Sequence, residues 1–231
     1  MRILLKLSGE ALKGNDDYIY SDSMLEQVTE DLIEVQKAGH QIAIVVGGGN
    51  IFRGVNGDKT GIQRANSDYM GMLATIMNAV AVADVLEHKN IKVRVLSAIP
   101  MEPVAEAYSR KRALKLLEKG NIVIFGGGTG NPFFTTDTAS ALRAVEMNVD
   151  LLLKATKVDG IYTKDPMKHK DAVKYSEISY KEAIDKQLKV MDLTAFALCQ
   201  ENNVKIRVFN LFEKGNLLKA ITDSTIGTTV K

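Results

Sequence analysis

Strand-length apolar runs and helix-length amphipathic runs alternate through the first two thirds of this chain, and the alternation restricts its fold more than any single motif does. Residues 3–7, 42–46, 93–96, 122–125 and 149–153 read as strands. Residues 21–39, 66–88, 103–119 and 136–146 read as helices. The first has Ser21 or Ser23 as its N-cap and Gly39 past its end; the second is rich in Met and Ala, as a buried helix is. Strand, helix, strand in repetition predicts a mainly parallel α/β sheet with helices on both faces, because parallel neighbours need a crossover connection and a helix supplies it. After residue 154 the texture changes. Residues 155–174 are polar turns and short strands, followed by helices at 180–186 and 193–201, a strand at 206–208 and a helix at 217–222. No low-complexity linker intervenes, so we read residues 1–231 as one domain with a continuous sheet and two lobes, 1–153 and 154–231.

Composition sets the outer limits. The chain has 231 residues, 45% of them hydrophobic and 25% charged, which suits an ordinary globular protein. A net charge of +2 gives no global attraction to nucleic acid or to an anionic membrane, so a polyanionic substrate would have to be met by local cations. Cys199 is the single cysteine, which excludes an intramolecular disulfide and fits a reducing cytoplasm. No uninterrupted apolar run reaches bilayer length, and Lys6 breaks the opening run before it resembles a signal peptide.

One pattern occurs twice. Lys37-Ala38-Gly39 leads into the strand at 42–46 and then Gly47-Gly48-Gly49-Asn50; Glu118-Lys119-Gly120 leads into the strand at 122–125 and then Gly126-Gly127-Gly128. Ligands of open α/β sheets sit beyond the carboxyl ends of strands, so both glycine loops fall on the ligand-bearing edge. Glycine lets backbone N–H groups approach an anion, and three in succession favour anion binding over a sharp turn, which needs one. Arg53, just beyond the first loop, has the fork to hold a phosphate, though a single arginine so placed is more often a solvated surface residue.

Residues 126–137 are the most specific stretch. Thr129, Asn131, Thr135 and Thr136 offer donors and acceptors for a base edge or phosphate, Phe133 and Phe134 the bulk to cover a base or to fill a core, and Asp137 a carboxylate at a helix start, where it also complements the macrodipole. Lys6 and Lys154 each close a strand, where a lysine must reach water or an anion. A P-loop, the protein-kinase signature set, a nucleophile elbow and a zinc-ligand spacing for His40, His88, His169 and Cys199 are all missing from the sequence.

Taken together, Lys6-Leu7-Ser8-Gly9-Glu10-Ala11, Gly47-Gly48-Gly49-Asn50 with Arg53-Gly54, Asp68-Tyr69-Met70-Gly71-Met72-Leu73-Ala74, the 129–137 stretch, Lys154-Ala155-Thr156-Lys157-Val158-Asp159-Gly160 and Lys189-Val190-Met191-Asp192 resemble bacterial UMP kinases of the amino-acid kinase superfamily, in the family's order and over nearly the whole chain. The resemblance implies a three-layer α/β/α sandwich like that of acetylglutamate kinase, with UMP in the first lobe and ATP in the second. It implies ATP contacts at Lys6, Leu7, Ser8, Gly9, Gly49, Arg53, Thr156, Tyr162 and Asp165. It implies UMP contacts at Gly48, Asp68, Thr129, Gly130, Asn131, Pro132, Phe133, Phe134, Thr135 and Thr136, and a centre formed by Lys6, Asp137, Lys154 and Asp192. It further implies Mg²⁺ carried by ATP phosphates and water, with no protein metal site, a homohexamer, UTP as feedback inhibitor and a place in pyrimidine nucleotide biosynthesis. Residues 14–23 depart from the family's wording in a region tied to activation by GTP. Two rivals remain: a kinase of a carboxylate or carbamate, which would need a different 129–137 loop, and a regulator that senses UMP or UTP on the same fold without turnover.

Overall fold

In the computed structural model, which describes residues 1–14, 17–52, 61–188 and 190–231, the central strand is the first one, β1 (Arg2–Leu7). The chain then runs α1 (Gly9–Lys13), α2 (Asp22–Lys37), β2 (Gln41–Val46), α3 (Arg64–His88), β3 (Val93–Ser97), β4 (Glu106–Ala107), α4 (Arg110–Glu118), β5 (Ile122–Gly126), α5 (Thr136–Glu146) and β6 (Leu151–Thr156). It ends with β7 (Glu177–Ile178), α6 (Tyr180–Asp185), α7 (Leu193–Glu201), β8 (Ile206–Asn210), α8 (Asn216–Thr222) and β9 (Thr228–Val230). The nine strands form one sheet in the order β4-β3-β5-β2-β1-β6-β8-β9-β7, parallel throughout except where β9 runs against β8.

The two-residue period of the strands divides the core. Ile3, Leu5 and Leu7 face one layer with Val28 and Leu32 of α2, Val82 and Leu86 of α3 and Leu217 of α8. Leu4, Ala43 and Val45 face the other with Leu116 of α4, Ala141 of α5 and Phe196 of α7. Fully buried leucines and isoleucines of this kind each contribute roughly 1.5–3 kcal/mol. Lys6 falls in phase with Leu4, and therefore points to the α5 and α7 side.

The connection leaving β1 runs toward β2, and the one leaving β6 runs toward β8 on the opposite side. The switch point of the sheet thus lies between β1 and β6, which pair in parallel with Lys6 opposite Lys154.

Two sequence readings change, and one helix calls for comment. The helix expected over 103–119 begins only at Arg110: Glu106 and Ala107 pair with Leu96 and Ser97 as an edge strand, and the Ser109 hydroxyl caps the helix by accepting from Arg112 N–H at 3.3 Å. The strand expected over 149–153 is displaced to Leu151–Thr156, because Val149 N–H is taken by Ala144 O in the turn that ends α5. And α3 is long and apolar enough by composition to cross a bilayer, with mean hydropathy 1.6 over its most apolar window. Half of that window is buried inside the fold, so its apolarity serves the core layer beside β5 and β3.

Candidate active site

Asp137 stands between the two aligned lysines. Lys6 Nζ lies 3.0 Å from its Oδ1 and Lys154 Nζ 2.8 Å from its Oδ2, all three side chains being at most 16% exposed. Lys154 also donates to Val190 O at 2.5 Å. Burial pushes the Asp137 carboxyl up, but the ammonium groups of Lys6 and Lys154 outweigh it and hold its pKa below the ordinary aspartate value. Burial also holds the Lys154 pKa below the usual lysine value, and Asp137 offsets only part of that. Two lysines thus face one carboxylate, an arrangement suited to receiving a further anionic group such as a phosphate.

Local sequence explains how Asp137 gets there. Thr135 is the N-cap of α5, its hydroxyl accepting from Asp137 N–H at 3.0 Å and Thr138 N–H at 3.2 Å. The same Thr135 hydroxyl donates to Asp192, and so does Thr138 Oγ1, at 3.0 and 3.1 Å to its two oxygens. Asp192 is itself the N-cap of α7, accepting from Ala195 N–H at 2.9 Å. Its carboxylate is thus occupied by a clasp between the starts of α5 and α7, a different part from that of Asp137, which alone touches the lysines.

Two cavities flank the centre. The first, of about 140 Å³, brings together Gly48, Gly49, Asp68, Thr129, Phe134, Thr135 and Thr136. It thus takes in much of the set expected for UMP, together with Gly49, which the resemblance gave to ATP. Asp68 is held by Arg64 Nε at 2.9 and 3.0 Å and accepts from Phe133 N–H at 2.8 Å, which fixes the 129–136 loop to the start of α3. Gly130, Asn131, Pro132 and Phe133 lie outside this lining; Asn131 closes a turn with Thr129, and the Phe133 ring is exposed.

The second cavity, of about 540 Å³, is lined by Lys154, Thr156, Tyr162, Asp165 and Lys186, among others. This gathers the three second-lobe residues that the resemblance gave to ATP. Tyr162 donates to Asp159 Oδ1 at 2.5 Å, and Asp159 pairs with Lys174 at 3.0 Å. The hydrogen bond to Asp159, with burial, pushes the Tyr162 hydroxyl up to about 12.

Of the remaining expectations, Ser8 caps α1 through its hydroxyl, accepting from Ala11 N–H at 3.2 Å. Leu7 is a fully buried core side chain whose carbonyl accepts from Gly47 N–H at 2.8 Å, so neither its side chain nor that carbonyl faces a cavity. Gly9 lies against the first glycine loop. Arg53 and Lys189 lie outside the described residues.

Two of the loop glycines also have a packing role. A Cβ on Gly48 would stand 2.8 Å from Ala74 Cβ and 2.9 Å from Gly71 O, and one on Gly126 would meet Ile76 Cα at 3.2 Å. Close approach of the α3 backbone accounts for these glycines on packing grounds, which the sequence reading placed second. Reading from sequence also missed Thr75, Asn78 and Asp159. A signal was available for the first two: they fall on the buried stripe of α3 with Met72, Ala79 and Val82, where a polar side chain requires a buried partner.

Among the described residues no three His, Cys, Asp or Glu side chains converge as a metal site. The nearest carboxylates, Asp137 and Asp192, are engaged by lysines and by threonines respectively.

Comparison with known proteins bears on the family and the fold. Residues 1–210 match the amino acid kinase family. The chain is 40% identical to the UMP kinase of Bacillus anthracis, with TM-score 0.97, covering all of this chain and 95% of that one. It is 37% identical to the UMP kinase of Ureaplasma parvum, with TM-score 0.95, covering all of this chain and 98% of that one. It is 26% identical to the uridylate kinase of Archaeoglobus fulgidus, with TM-score 0.76 and full coverage of both.

Proposed function

The chain belongs to the amino acid kinase family, and from that premise we propose that it is a UMP kinase, transferring the γ-phosphoryl group of ATP to UMP. The observation that carries the reading is the Lys6–Asp137–Lys154 cluster at the switch point, between a small cavity lined by the 129–136 loop and a larger one lined by Thr156, Tyr162 and Asp165. Solved relatives at 37–40% identity are UMP kinases, and they suggest the substrate.

The chemistry follows from charge. The acceptor is a phosphate with a second pKa near ~6, largely dianionic at neutral pH. Its oxygen attacks the γ-phosphorus, a new P–O bond forms, and the bond to the oxygen bridging the β-phosphate breaks, leaving ADP and UDP. No general base is required. The obstacle is repulsion, roughly 4 kcal/mol per like-charge pair at ~4 Å and an effective dielectric of ~20. Lys6 and Lys154 oppose it directly, and Asp137 keeps both ammonium groups aimed at one point. Mg²⁺ enters as part of the Mg–ATP substrate and spreads charge over the phosphates.

The same reading includes self-association, with a hexamer as the assembly and UTP as inhibitor, and a cytoplasmic place in pyrimidine nucleotide biosynthesis. Association is supported by the outer face of α3, where Tyr69, Met70, Leu73, Met77 and Val80 stand 38–52% exposed. A free buried thiol, Cys199, suits a reducing compartment.

The deciding experiment is a coupled assay with Mg–ATP and UMP, CMP, dUMP or AMP. Equal amounts of ADP and UDP are expected. UMP is expected to exceed CMP in kcat/KM by roughly 10⁴-fold, since backbone donors and acceptors fixed at Gly128 and Thr129 in the cavity wall cannot exchange roles to suit a cytosine edge. A ratio near one would mean that the loop holds ribose or phosphate and not the base.

A further inference from the structure

Both glycine loops are fastened to the buried face of α3 by polar side chains. Thr75, 3% exposed, accepts from Gly127 N–H through Oγ1 at 2.8 Å and donates to Met72 O at 2.7 Å. Its hydroxyl is therefore committed in both directions, and it fixes the first turn of the acceptor loop. Asn78, fully buried, donates from Nδ2 to Gly47 O and to Asn50 Oδ1, each at 2.7 Å. In return Asn50 Nδ2 donates to Asn78 Oδ1 at 3.2 Å, and also to Ile19 O at 2.9 Å. This reciprocal amide pair uses both N–H groups of each side chain, so neither amide can flip without losing partners.

A core helix fills such positions more cheaply with apolar residues. The neighbouring contacts are close as well: Gly48 on Ala74 and Gly71, Gly126 on Ile76. Steric contact sets how near the loops lie to α3, but a flat contact leaves them free to slide along it. Directional hydrogen bonds from two side chains, about one helical turn apart, fix their register.

We infer that Thr75 and Asn78 are positioning residues for phosphoryl transfer, holding the two glycine loops in register so that Gly48, Gly49, Gly128 and Thr129 form one acceptor site. The inference rests on the kinase reading above. It adds a role for residues that themselves carry no reacting atom.

The test compares Thr75→Val, which keeps the shape and removes the hydroxyl, with Thr75→Ser, which keeps the hydroxyl. KM for UMP should rise about tenfold in Thr75→Val, the loss of one well-placed hydrogen bond, while KM for Mg–ATP stays within about twofold. Thr75→Ser should return KM for UMP to within about threefold of wild type. Asn78→Leu should show the same split through the other loop. If Thr75→Val does not fold, Thr75→Ala replaces it, since water can enter the vacated space and satisfy Gly127 N–H. Lowered melting with both KM values unchanged, or both rising in parallel, would show a merely structural role and overturn the inference. Wild-type protein that turns over no UMP would overturn the functional reading itself, which the same assay records first.

Discussion

The two cavities beside Asp137 are built by different means. The smaller is walled by glycine backbone pressed on α3 and fastened by buried Thr75 and Asn78. The larger is walled by side chains of a surface turn, tied by partly exposed pairs such as Lys174–Asp159 and Lys164–Asp171. Backbone groups held by buried hydrogen bonds discriminate by fixed direction, whereas exposed ion pairs contribute little and yield easily. On the kinase reading proposed above, the comparison teaches where selectivity would reside: in the smaller cavity with its fixed backbone, facing a larger cavity with more adaptable walls, which Lys154 of the lysine cluster lines.

Striking the lysine cluster should have the largest effect. Asp137→Asn leaves Lys6 and Lys154 side by side and nearly buried without their counter-charge. Stability should fall by about 3 kcal/mol and turnover by more than ~10²-fold. Urea titration beside single-turnover rates measures both. A rate near wild type would reduce Asp137 to a helix-start residue.

Lys6→Ala should come next. Removing one preorganised charge raises the barrier by about 2.7–4 kcal/mol, so kcat should drop roughly 10²–10³-fold. UMP affinity by calorimetry should survive, because the acceptor cavity is lined by other residues. Turnover within a few-fold of wild type would remove Lys6 from the centre.

A smaller effect probes the adaptable side. Asp159→Asn weakens the hydrogen bond that holds Tyr162 against the donor cavity and relieves the rise in its pKa. KM for ATP should increase about fivefold, the value of one ordinary hydrogen bond, with KM for UMP unchanged. Equal changes in the two would erase the distinction between the cavities.

The smallest effect on catalysis is expected at Asp31, which touches neither cavity. It lies on α2, 1% exposed, accepting from Gly215 N–H at 3.0 Å, with Glu30, Glu34 and Lys214 nearby. Burial, the largest influence, raises its pKa from 3.8 to about 6. A raised pKa means that the folded state keeps the proton more tightly. The stabilisation is complete below the unfolded value and is lost as pH rises through about 6. Relative to Asp31→Asn, wild type should therefore gain up to about 3 kcal/mol on going from neutral to acid pH. Paired urea midpoints across that range measure it, and both KM values at neutral pH should match wild type. Identical pH profiles for the two proteins would rule out the titration.

Much of this arrangement is legible in the residues. The run at 42–46 is apolar throughout and that at 3–7 at every position but Lys6, because strands covered on both faces leave little room for polarity, and the helix read at 136–146 has the bounds of α5. Lys6, Lys154 and Asp137 could each be suspected as a charge at the end of an element. Their convergence could not, since it depends on β1 and β6 pairing in register across 148 residues of chain, with α5 crossing above them. The same limit hid the clasp of Asp192 and the fastening of the glycine loops by Thr75 and Asn78. Periodicity reports which face of an element is buried, because that is a property of neighbouring residues. Which partner a buried polar group meets is decided only when distant elements pack, and that is where this protein's centre was made.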